Sequence, residues 1–364
     1  MLDDLALTAN GHIMANVRTI AVTNQKGGVG KTTTTANLAA ELARRGSSVC
    51  LIDLDPQAHL TMHFGIDPTD LSVSMYEVMT ADVGLTQAAA LVEPNLTVVP
   101  ATIHLAAAEV ELAGEVGRER VLSQRFTEEP LPYDMILIDC PPSLGLLTLN
   151  ALAATEEVLI PLQPHFLALQ GLGRLLETVS LVNQRINPSL KVAGVIFCLY
   201  ESATRLASEV ADDVRAFFDQ ARGTDAPWSK THIYRSRIRR NIKLAECPSY
   251  GTTIGHYDAA SHGAQDYAAL AEEFLAVSAG EAPPPPVEQV EPVEEAIPPT
   301  PTQPRPVAEE PTAVSAAAEA PQAPPTEPAP QPSGQYLPAE EAPEAPPGPA
   351  TDPQPPAAMD PPAL

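Results

Sequence analysis

Thr19-Ile20-Ala21-Val22 runs into Gln25-Lys26-Gly27-Gly28-Val29-Gly30-Lys31-Thr32-Thr33, and that loop into Ala36-Asn37-Leu38-Ala39-Ala40-Glu41-Leu42-Ala43. An apolar strand, a glycine loop and a helical pattern thus follow one another without a break. Glycines without a Cβ accept positive φ and let successive backbone N–H groups converge on one anion. The helix behind them adds its unpaired N-terminal N–H groups and the positive end of its dipole. Lys31 is then placed for the β and γ phosphates of a nucleotide, and the Thr32 hydroxyl for Mg²⁺. Against the common GxxxxGK[ST] pattern, Gln25 stands where the first glycine belongs and an additional lysine, Lys26, follows it. The competing interpretation is a glycine turn that only joins strand to helix, with both lysines solvated.

Two further strand ends carry carboxylates. Ser48-Val49-Cys50-Leu51-Ile52 ends in Asp53-Leu54-Asp55-Pro56-Gln57, and Tyr133-Asp134-Met135-Ile136-Leu137-Ile138 ends in Asp139. Ligands of open α/β sheets gather at the carboxyl ends of strands, so Asp53, Asp55 and Asp139 are candidates to face the glycine loop. An aspartate after an apolar run is the Walker B arrangement, which holds Mg²⁺ or its water. Cys140-Pro141-Pro142-Ser143 follows as a stiff loop able to sense the γ-phosphate. Capping or turn formation is the plain alternative for each aspartate, above all for Asp55 before Pro56.

Beyond these, Leu96–Pro100, Glu157–Leu162 and Val192–Phe197 are strand-like. Ile103–Phe126, Leu167–Ile186, Ala203–Phe218 and His262–Val277 have helical periodicity, and residues 60–93 suggest short helices and loops. Strand and helix in alternation predict a mainly parallel, twisted sheet with helices on both faces, an α/β fold.

The chain has 364 residues and a net charge of −25. From Glu281 to Leu364 there are 27 prolines, 14 acidic residues and one basic residue, hence −13. Three regions follow: a loose lead at 1–16, in which Met14 is an alternative start, an ATPase-type body at 17–280, and an acidic Pro/Ala-rich tail at 281–364. The tail is too poor in apolar surface to offset ordering entropy and is expected to be disordered, as a spacer or an arm for an unknown partner. Bulk attraction to nucleic acid is excluded by the acidic body, so any such binding needs a local basic patch. Arg235, Arg237, Arg239, Arg240 and Lys243 supply one within nine residues. The alternative for them is a solvated strand whose charges pair with nearby carboxylates. Cys50, Cys140, Cys198 and Cys247 are widely spaced and read as reduced core residues of a cytoplasmic protein. No apolar run is long enough for a membrane span.

Lys26–Thr32 resembles the deviant Walker A loop of the ParA/MinD ATPases, Asp53–Gln57 their second motif, and Asp139–Ser143 their Walker B. Asn241-Ile242-Lys243-Leu244-Ala245-Glu246-Cys247-Pro248-Ser249-Tyr250-Gly251 is similar to a stretch of the chromosome-partitioning ParA branch. The resemblance spans residues 17–277. It implies a slow, Mg²⁺-dependent ATPase that forms a homodimer with ATP between the subunits, Lys26 reaching the partner's phosphates. Gly27, Gly28, Val29, Gly30, Lys31, Thr32 and Thr33 would cradle phosphate, with Asp53 and Pro141 beside them. Thr32, Asp55 and Asp139 would surround the metal, and Asp55 would also position the attacking water. The ATP-bound dimer would hold non-specific double-stranded DNA on the arginine surface, and a ParB-like centromere-binding protein would stimulate hydrolysis and release. The expected location is cytoplasmic and nucleoid-associated. Arg239 departs from the branch, which usually has proline there, near the adenine edge.

Three other activities of related folds fit less well. A MinD-like membrane-associated positioning ATPase calls for a basic amphipathic end, whereas this sequence ends in Pro361-Pro362-Ala363-Leu364. A nitrogenase-type iron protein needs cluster cysteines, and none lies between Cys50 and Cys140. A tyrosine autokinase needs a tyrosine-rich end, and the tail has only Tyr336.

Overall fold

The computed structural model describes residues 17–201 and 204–282. The loose lead and nearly all of the acidic tail lie outside the described residues. Nine strands form one sheet: β1 (Arg18–Val22), β2 (Val49–Asp53), β3 (Ala90–Glu93), β4 (Leu96–Val99), β5 (Met135–Asp139), β6 (Glu157–Leu162), β7 (Lys191–Tyr200), β8 (His232–Ile233) and β9 (Ile238–Arg239). Their order is β3-β4-β2-β5-β1-β6-β7-β8, with β9 also pairing to β7. All pairings are parallel except β3 with β4.

The helices among the described residues are α1 (Lys31–Arg44), α2 (His59–His63), α3 (Met75–Thr80), α4 (Leu85–Ala88), α5 (Leu105–Glu111), α6 (Val121–Glu128), α7 (Leu146–Ala154), α8 (Ala168–Arg185), α9 (Arg205–Ala221), α10 (Ile242–Glu246), α11 (Ile254–Tyr257) and α12 (His262–Ser278). They cover both faces, because alternate residues of a strand point to opposite sides. Ile20, Val22, Leu51, Leu137 and Leu159 pack with α1 and α12. Ala21, Cys50, Ile52, Ile136, Ile138 and Val158 pack with α7, α8 and α9. All four cysteines are buried thiols, as their apolar surroundings in the sequence suggest.

One expectation needs correction. Ala90–Glu93 is a strand, not loop: Pro94-Asn95 turns the chain back, with Asn95 in the left-handed region at φ 63°, and β3 lies antiparallel on β4 at the sheet edge. Its four residues are half-buried or exposed, so no apolar alternation announces it. The helical periodicity from Ile103 to Phe126 is realised in separate pieces. Glycines Gly114 and Gly117 divide it into α5, two single 3₁₀ turns and α6. Leu146–Ala154 forms a further helix, α7, whose Thr148 and Asn150 are buried along with its apolar residues, so it carries no amphipathic stripe for a sequence to display.

The register matters for function. In the parallel pairing of β2 with β5, Asp53 stands opposite Asp139, and Val22 of β1 stands opposite Asp139 on the other side. Three carboxyl ends therefore meet where the glycine loop leaves β1.

Candidate nucleotide site

The loop from β1 to α1 needs glycine at two positions: Gly28 has φ 71° and Gly30 φ 93°. Gly30 is the cap residue of α1, yet it offers no side chain to the first-turn N–H groups, and that turn contains no acidic residue. Those N–H groups have no intrahelical partner. Together with the helix dipole they form a ready anion site.

Lys31 is buried, and its Nζ donates to the carbonyl of Lys26 at 3.4 Å across the loop. Burial lowers its proton affinity, while the charges of Asp139, Cys140 and Asp55 raise it. The Thr32 hydroxyl donates to Asp139 Oδ2 at 2.6 Å, and Thr35 Oγ1 to Oδ1 at 3.3 Å. Asp139 is wholly buried, and burial, followed by the negative charge of Asp53, drives its carboxyl well above the usual range. A carboxylate so placed gains strongly from a cation. Thr32 and Asp139 fit Mg²⁺, which takes few protein ligands and shares the rest with phosphate and water. The acidic trio is not a cage by itself: no cluster of three or more His, Cys, Asp and Glu converges as a metal site among the described residues.

Asp53 and Asp55 have different surroundings. Asp53 Oδ2 accepts from the Thr61 N–H and hydroxyl at 2.8 and 2.7 Å, and Oδ1 accepts from the Asp55 N–H. Thr61 Oγ1 in turn accepts from the Ala101 N–H. Asp53 is thus a buried clamp on the loop leading to α2, with its carboxyl pushed up to about 6 by burial. Asp55 lies at the mouth of the cleft, one oxygen accepting from the Gln57 N–H at 2.9 Å.

A cleft of about 410 Å³ runs from Gly27, Gly28, Gly30, Lys31, Thr32 and Thr33 past Asp55 and Pro142. It is also lined by Leu199, Ile238, Asn241, Leu244, Ala245 and Tyr267, the last with its hydroxyl 3.2 Å from Thr34 Oγ1. This apolar lining, with Asn241 among it, suits a purine and was not visible in the sequence beyond the 241–251 stretch. Leu199 holds φ 50° at an irregularity in the β7–β9 pairing, a strained position for a branched side chain. Among the expected contacts, Val29 is buried in the loop's own packing and Pro141 is buried behind the cleft, whereas Pro142 lines it.

Lys26 does not line this cleft. It is exposed, and its Nζ lies 2.6 Å from His165 Nε2 and 3.4 Å from Gln163 Oε1, in the loop after β6. The basic segment is likewise divided. Arg239 turns inward, its guanidinium on both oxygens of buried Asp266 at 2.7 to 3.1 Å, so it is spent on α12. Arg235 and Arg240 are exposed, Arg240 lying 3.4 Å from Glu201. Arg237 stacks over Tyr200 at 4.3 Å, and exposed Lys243 pairs with Asp258. Glu273 of α12 holds the segment's backbone, accepting from His232 Nε2, the Arg235 and Ser236 N–H groups and the Ser236 hydroxyl.

Comparison with known proteins agrees with this geometry. A family model described as an AAA domain matches residues 17–192. The sporulation initiation inhibitor protein Soj of Bacillus subtilis is 43% identical over 259 residues, which take in 71% of this chain and 98% of that protein. The chromosome partitioning protein ParA of Myxococcus xanthus is 42% identical over 71% of this chain and 88% of its own length. Among solved structures, cobyrinic acid a,c-diamide synthase from Mycobacterium smegmatis with a bound ATP analogue and magnesium superimposes with a TM-score of 0.62 at 37% identity, over 74% of this chain and all of that one. The chain belongs to the family of the Soj and ParA chromosome-partitioning ATPases.

Proposed function

We propose that this protein is a DNA-partition ATPase whose ATP form is a homodimer with nucleotide shared between two subunits. Bound Mg²⁺ supplies charge neutralisation at the phosphates, and the chain supplies the rest. The loop amides and Lys31 bind the phosphates, Thr32 and Asp139 hold the ion, and Asp55 orients the attacking water. Asp53 keeps the Asp55 loop in place through Thr61. The observation that carries the shared site is the division between the two lysines. Lys31 is buried in its own subunit's cleft, whereas Lys26 is exposed outside it.

Loss of the γ-phosphate removes a contact made by both subunits, so hydrolysis shifts the population back to monomers. Non-specific double-stranded DNA is held by Arg235, Arg237, Arg240 and Lys243; the exposed ion pairs of Arg240 and Lys243 are weak enough to yield to phosphate. Two such faces in one dimer multiply their effect. A ParB-like partner bound at a centromere-like site stimulates hydrolysis and release. The test is retention on DNA of arbitrary sequence with ATP, ADP and a slowly hydrolysed analogue. Retention is expected with ATP or the analogue only, and loss in Arg235→Glu/Arg240→Glu. Equal retention with ADP, or by that variant, counts against the proposal.

A further inference from the structure

The contact that holds Lys26 within its own subunit is unusual. A neutral imidazole has one acceptor nitrogen and a protonated one has none. Both ring nitrogens of His165 nevertheless face donors: Nε2 lies 2.6 Å from Lys26 Nζ, and Nδ1 lies 3.1 Å from the Leu167 backbone N–H. Only one of the two can be accepted at a time. With Lys26 docked on Nε2, the ring proton sits on Nδ1 and opposes the Leu167 N–H. With Lys26 gone, Nδ1 can accept from Leu167. The turn involved is also the exposed apolar tip of this region, with Phe166 84% and Leu167 56% exposed.

We propose that His165 is a positioning residue for Lys26: in its neutral form it docks Lys26 on its own subunit, and its protonation frees Lys26 for a second one. This rests on the reading that Lys26 serves the neighbouring nucleotide. Among the described residues Lys26 is the charged group acting on His165, and Gln163 beside them is uncharged. Burial first, and then the Lys26 ammonium, lower the proton affinity of His165. The docked pair therefore contains neutral His165, and acidification through its titration places two cations face to face and expels Lys26. Departure of Lys26 from the neutral ring lets Nδ1 accept from the Leu167 N–H, whereas the protonated ring accepts from neither donor.

Two measurements on the full chain test this. In the nucleotide-free protein, NMR titration of labelled histidine is expected to show the His165 midpoint rising in Lys26→Gln, a variant that keeps a donor but removes the charge. With Mg²⁺ and a slowly hydrolysed ATP analogue, sedimentation is expected to show dimerisation tightening about fivefold from about pH 8 to about pH 6. His165→Gln, an acceptor that does not titrate there, is expected to lose that step. An unchanged His165 midpoint in Lys26→Gln overturns the inference even if dimers form normally, as does a pH step that survives in His165→Gln. A normal midpoint shift without dimers at any pH overturns instead the shared-site reading on which the release depends.

Discussion

Lys26 and Lys31 are five positions apart and differ in almost every physical respect. Lys31 is buried beside Asp139 and lines the cleft, so truncating it removes a buried cation from the candidate phosphate site. Lys31→Ala is expected to weaken nucleotide binding at least about a hundredfold by calorimetry, roughly 3 kcal/mol. Asp55→Ala should leave nucleotide affinity within about threefold while slowing single-turnover hydrolysis about 10²-fold or more, as for loss of a group acting on the attacking water. Equal loss of affinity and rate would make Asp55 a binding residue instead. Asp53 and Asp139 are neighbours in register and both hold their protons tightly because of burial. A carboxyl raised in the folded state contributes stability that is complete at acid pH and is lost as pH rises through the folded value. The nucleotide-free chain should thus lose stability to urea between about pH 5 and about pH 8, with Asp53 ionising near pH 6. Mg²⁺ with nucleotide should flatten that slope. The glycine positions of the loop were legible in the sequence because positive φ dictates that residue at Gly28 and Gly30. The clamp role of Asp53 was not, since Thr61 lies eight residues away and is brought to it only by the turn into α2.

At the scale of elements, α12 organises more than its own face. Its Asp266 neutralises Arg239, and its Glu273 accepts from His232 of β8 and from the Arg235 N–H, the Ser236 N–H and the Ser236 hydroxyl of the loop that carries Arg235 and Arg237. Burial alone would raise the Glu273 carboxyl, but the bonds from His232, Arg235 and Ser236 overcome it and leave the value at about 2. Glu273→Gln should cost about 2 kcal/mol in urea denaturation and weaken DNA retention without touching nucleotide affinity. Unchanged retention would show that this loop does not present the DNA surface. The long buried strands and amphipathic helices were readable from period alone. Edge strand β3, helix α7 and the apolar lining of the cleft were not: the first has no buried face, the second buries its Thr148 and Asn150 with its apolar residues, and the third is assembled from Leu199, Ile238, Asn241 and Tyr267 by tertiary packing.

The molecule as a whole is acidic, so attraction to DNA is confined to the surface of Arg235, Arg237, Arg240 and Lys243. Its retention on DNA should therefore fall steeply with salt. In the proposed function the deeper dependence is on dimerisation, which would place two such surfaces on one particle and tie DNA binding to the nucleotide. Sedimentation of the full chain with Mg²⁺ and a slowly hydrolysed ATP analogue, wild type against Lys26→Ala, tests that claim most directly. Lys26→Ala is expected to bind the analogue with nearly unchanged affinity and to remain monomeric at concentrations where the wild type dimerises; a Lys26→Ala chain that dimerises as readily as the wild type would contradict the shared site.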